Sequence, residues 1–124
     1  MEEELIYQGE GSEWIEKVKE LLKQIGVRFE AEESVRIHRD DVVIEVVERE
    51  GRFTISINME IPKTVELSEL EKHASAYKSF LEIIAKSSAE PFYELDASIG
   101  YTFLRALINV DNIEKLLDML RKIL

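Results

Sequence analysis

The apolar residues of this chain change their period along its length, and the segment from Arg52 to Ile61 restricts the fold most. Phe53, Ile55, Ile57, Met59 and Ile61 alternate there without a break with Arg52, Thr54, Ser56, Asn58 and Glu60. A period of two places the five apolar side chains on one face of a strand and the polar ones on the other. Such a strand belongs in an antiparallel sheet with one covered face and one wet face. Pro62 ends it, since proline cannot donate to a ladder.

The same period runs upstream. Val42 to Glu48 is rich in β-branched residues, and Glu50-Gly51 suits a tight turn into Arg52. Val27, Phe29 and Ala31 alternate with charged neighbours, as do Val35 and Ile37, which predicts one interrupted strand or two short ones. Arg39-Asp40-Asp41 is the turn into the next strand. Downstream, Phe92 to Ala97 and Tyr101 to Ile108 form a second hairpin around Ser98-Ile99-Gly100. Both of its faces are partly apolar, so its strands are expected to be central or to lie against another body.

Three stretches have helical spacing instead. From Ser12 to Ile25, Trp14, Ile15, Val18, Leu21, Leu22 and Ile25 recur every three or four positions, with Ser12 as the expected N-cap and Gly26 as the closing residue. Leu5-Ile6-Tyr7, within residues 1–11, reads as a short strand or an arm. Ser68-Glu69-Leu70-Glu71 has the form of a capping box at the head of a helix that must stop before Pro91. Its main apolar stripe is Leu67, Leu70, Ala74, Tyr77, Leu81 and Ile84, while Ala76, Phe80 and Ile83 lie off that stripe. An arc this wide asks for more than one buried side. Asp111 is the expected cap of a last helix carrying Ile113, Leu116, Leu117, Leu120 and Ile123.

The order predicts an α+β fold of one domain, residues 1–124. It is a two-layer sandwich of one antiparallel sheet of about five strands with three helices, α-β3-α-β2-α. A chain of 124 residues buries about two-thirds of its extended surface, enough for a core without staples.

Charge narrows the function. Twenty-six acidic against 16 basic side chains give a net charge of −10, which repels a phosphate backbone and argues against nucleic acid as a partner. Residues 1–62 hold 16 acids and 8 bases, so most of the excess is in the amino-terminal half. The absence of cysteine removes disulfides, thiolate chemistry and iron–sulfur ligation. No apolar run is long enough to insert in a membrane. Met1-Glu2-Glu3-Glu4 is negative where a signal peptide is positive, which predicts a cytoplasmic protein. Scarce Gln and Asn beside abundant Glu, Lys and Arg are a bias shared with proteins from hot environments.

The element order α-β-β-β-α-β-β-α from Ser12 to Leu124, in a small acidic chain, resembles the secretion-chaperone-like fold. Members such as the type III secretion chaperones are acidic homodimers that hold an extended segment of another protein. The resemblance implies self-association and peptide holding and transfers no catalytic residue. The wide arc on the second helix asks for a partner independently. Phe80 and Ile83, with Tyr93, Leu95, Tyr101 and Phe103 of the hairpin, are the residues expected at a two-fold interface, the alternative being that they are core.

Reactive groups are few. His38, Asp40 and Asp41 would reach one metal ion if the turn folds them together, the alternative being an exposed strand histidine followed by turn-forming aspartates. His73 is one helical turn from Glu69 and from Tyr77. No Gly-x-Ser-x-Gly and no phosphate-binding glycine loop occurs, so no catalytic residue and no cofactor is indicated. The expectation is a non-enzymatic, chaperone-like protein-interaction module that forms a homodimer. The alternative is a small ligand-binding protein or a metal-assisted hydrolase using His38, Asp40 and Asp41.

Overall fold

The computed structural model of the chain describes residues 2–98 and 100–124, and the side chains of residues 13–98 and 100–124. Met1 and Ile99, the latter in the second hairpin turn, lie outside it. Helix α1 (Glu2–Ile25) is followed by strands β1 (Arg28–Ala31), β2 (Val35–Arg39), β3 (Val42–Arg49) and β4 (Arg52–Glu60). A single 3-10 turn (Leu67–Glu69) leads into α2 (Leu70–Ser87), then β5 (Phe92–Ser98), β6 (Tyr101–Val110) and α3 (Ile113–Ile123). The fold is α+β, with one open, wholly antiparallel sheet of six strands in the order β1-β2-β3-β4-β6-β5. The sixth strand comes from residues 28–39, which divide into β1 and β2.

Turn chemistry sets the register. Glu50 and Gly51 have φ of 55° and 81°, the left-handed pair that a two-residue hairpin needs, and Arg49 pairs with Arg52 across it. Asp40, at φ 56°, serves the β2–β3 turn. Gly26, at φ 86°, closes α1 as expected: its N–H and that of Val27 both donate to the Leu22 carbonyl, at 2.9 and 3.4 Å.

Helix starts differ from the sequence expectation. α1 begins at Glu2, so residues 5–7 fall in a helix rather than a strand or arm and Ser12 is internal. The capping box does not form, because Ser68 is taken up in the 3-10 turn and Glu69 precedes α2 without a capping bond. α3 is capped by Asn112, one residue after Asp111: the Asn112 Oδ1 accepts the Lys115 N–H at 2.9 Å. Asn112→Ala should lower stability by about 1 kcal/mol, or the melting midpoint by roughly 4 °C, measured calorimetrically.

The helices cover one face of the sheet. Val35 and Ile37 of β2, Ile44 and Val46 of β3, Ile55 and Ile57 of β4 and Ala106 of β6 are buried beneath them, in one cluster with Val18 and Leu22 of α1 and Leu116 and Leu120 of α3. Trp14 meets Phe53 edge to face, 5.3 Å between centroids, which fixes α1 on the sheet. α3 packs between the other helices, touching both α1 and α2. α1 rests on β1, and α2 on β3 and β4. No helix among the described residues is long and apolar enough to cross a membrane.

α2 turns to the core the face that the main stripe does not predict. Phe80 and Ile83 are 1% and 4% exposed, with Ile84 and Ser87 buried beside them. Leu70, Tyr77 and Leu81 of the longer stripe are exposed. Phe80 and Ile83 are therefore core residues and cannot form an interface. The small residues Ala76 and Ser87 bracket them on the same face and let the helix approach the sheet, and the Ser87 hydroxyl is satisfied by the Ile84 carbonyl at 2.6 Å.

Candidate functional site

Helices leave the second face of the sheet open, and the β6–β5 end lies beyond the strands on which α2 rests. Alternation places Arg36, His38, Val43, Glu45, Ser56, Asn58 and Arg105 on the open face. Their centre is Arg105 on β6. Its Nε donates to the Asn58 Oδ1 at 2.7 Å, and its two terminal nitrogens donate to Glu94 Oε1 at 2.9 Å and Asp96 Oδ2 at 3.1 Å. One guanidinium thus ties β4, β6 and β5 together and is shared by both carboxylates of the edge strand. Arg36 pairs with Glu45 at 3.4 Å. The network borders a shallow depression of about 320 Å³ lined by Arg36, His38, Val43, Glu45, Asn58, Phe103 and Arg105.

The histidine readings resolve into local pairs. His38 Nε2 lies 2.7 Å from Glu30 Oε1 on β1, while Asp40 and Asp41 are exposed in the turn. The expected set of His38, Asp40 and Asp41 is not assembled, and among the described residues no group of three or more metal-binding side chains converges. The strand pairing explains this: it gives His38 a carboxylate from the neighbouring strand before the turn begins. His73 Nε2 approaches Glu69 Oε2 at 3.4 Å without hydrogen-bonding geometry. Tyr77 stacks on Phe80 instead, at 6.5 Å.

The hairpin residues named from the sequence divide by face. Tyr93 and Leu95 point to the helix side, in register with Ala106 and Leu104. Tyr101 and Phe103 point to the open side and stack at 6.3 Å. Tyr93, Leu95 and Tyr101 are 53%, 63% and 58% exposed, and Phe103 is half-buried. β6 is a central strand, as expected, whereas β5 is the sheet edge, exposed on both faces because the helix layer stops short of it. Phe92, at 77% exposure, adds to this apolar edge. The stripe of Leu70, Tyr77 and Leu81 on α2 is exposed as well.

Sequence reasoning missed Arg105 altogether. A lone arginine in an apolar run carries no signal until β5 is paired with β6, which sets Glu94 opposite it and Asp96 one row away.

Fold and site together define an open α+β sandwich with an apolar, unpaired sheet edge. No family model matches the chain, and no curated protein matches it. Among solved structures it is similar to "YbjN, a putative transcription regulator from E. coli", at a TM-score of 0.50 and 17% identity, covering 86% of this chain and 80% of that one. At that identity the likeness is one of fold.

Proposed function

We propose that this chain is a protein-interaction module that forms a homodimer and holds a segment of a partner protein. The observation that carries the reading is exposed apolar side chains in two places: Tyr93 and Leu95 on the β5 edge strand, and Leu70, Tyr77 and Leu81 on α2. Exposed apolar surface of this kind marks protein contact sites. The element order, which resembles that of secretion chaperones with one strand more between the first two helices, supports peptide holding. A regulatory role like the one suggested for YbjN would run through protein contacts here, since a net charge of −10 opposes DNA.

The direct test is the mass in solution. Light scattering on the eluting protein at micromolar concentration is expected to give twice 14.4 kDa. A single species at the monomer mass across the concentration range would end the homodimer reading.

A further inference from the structure

We infer that the second copy docks by antiparallel pairing of β5 with β5 about a two-fold axis through Leu95. The inference rests on the homodimer reading and specifies its interface. The two ends of the sheet are not equivalent. β1 is four residues long and carries Arg28 and Glu30, the short, charged form that discourages strand addition. β5 is nearly twice as long, has no lysine or proline, presents an apolar helix-side face of Tyr93, Leu95 and Ala97, and has its two charged residues, Glu94 and Asp96, held by Arg105 on the open side.

Backbone phase selects the register. The Thr102 carbonyl accepts the Ile61 N–H at 2.7 Å, so Thr102 and every second residue after it bond toward β4. Tyr101, Phe103 and Arg105 then bond toward β5, where their partners are Ser98, Asp96 and Glu94. The backbone groups of Tyr93, Leu95 and Ala97 are left pointing to the free edge. Leu95 is also the midpoint of Phe92–Ser98, so a two-fold axis there pairs all seven residues, and any other register of the same phase loses at least two.

Side chains agree with that register. On the helix side Leu95 meets Leu95 of the second copy, and Tyr93 meets Ala97 of the second copy. On the open side Glu94 of each copy faces Asp96 of the other. Two facing carboxylates repel, and Arg105, bonded to both within each chain, offsets one of the two charges, so the open side opposes the pairing weakly and the helix side carries it. A two-fold axis perpendicular to the sheet keeps both helix layers on the side that holds the leucine seam.

The absence of cysteine makes the register directly testable by single substitutions in the whole chain. Residues paired across antiparallel strands have Cα atoms about 5 Å apart, within disulfide reach. Under mild oxidation the bulk of Leu95→Cys should run as a covalent dimer. Tyr93→Cys and Ala97→Cys should link when mixed and stay largely unlinked alone, and Phe92→Cys should stay unlinked. A native chain of dimer mass whose Leu95→Cys variant fails to link overturns this interface and leaves the homodimer standing. A native chain of monomer mass overturns both.

Discussion

Phe80→Ala should cost about 3–5 kcal/mol of folding stability, the range for emptying a fully buried aromatic site. In a domain of this size that is a fall of roughly 10–20 °C in the melting midpoint. The side chain is 1% exposed, sits between Ala76 and Ile84 on the face of α2 that meets β3 and β4, and stacks beneath Tyr77. Its loss leaves a cavity that a helix held at both ends, by the sheet and by α3, closes only in part. Tyr77→Ala, three residues earlier on the exposed stripe, should change stability by much less, because Tyr77 is 49% exposed. The pair of variants, compared by chemical denaturation, separates the face that builds the fold from the face left over. Equal losses in the two would mean that α2 is rotated relative to the packing described here.

That rotation marks where sequence reading stops. Strand alternation in Arg52 to Ile61 was legible because period two allows only two faces, and one of them was wholly apolar. Helix α2 was not, because its apolar residues occupy a wide arc and several rotations bury a comparable number of them. The deciding residues were small: Ala76 and Ser87 lower the profile of one face, and hydropathy counts them as neutral. Caps shifted by a residue for a similar reason, since Asp111 and Asn112 are equally able to accept the first free amide and only the chain direction leaving β6 picks Asn112. In the candidate site, the apolar side chains Tyr93, Leu95 and Tyr101 were legible as residues and are exposed, while Phe80 and Ile83, named with them, are core. The polar part of the site was not legible, since Arg105, Asn58, Glu94 and Asp96 come from three strands and only the β4-β6-β5 order brings them together. The pairing of β1 with β2 likewise explains why His38 takes Glu30 as its partner rather than Asp40 or Asp41.

Leu95→Lys should abolish self-association while leaving the folded monomer intact. The leucine is 63% exposed in the single chain, on an edge strand, so the substitution removes little internal packing and should shift monomer stability by no more than about 0.5 kcal/mol. In the paired arrangement the same position lies on the two-fold axis and is altered twice. Each copy forfeits the burial of a leucine, about 1.5–3 kcal/mol when complete, and two ammonium groups are brought face to face across adjacent strands. Even half of the full burial from each side amounts to about 1.5–3 kcal/mol, a dimer weaker by roughly ten- to a hundredfold before the charge repulsion is added. Lysine is also the residue that natural edge strands use to refuse a partner. Leu67→Lys is the control: Leu67 is 88% exposed in the 3-10 turn before α2, away from the seam, and its variant should keep the native mass. Sedimentation equilibrium on the native chain and both variants distinguishes the cases, since a Leu95→Lys chain that associates with native affinity would place the contact somewhere other than the β5 edge.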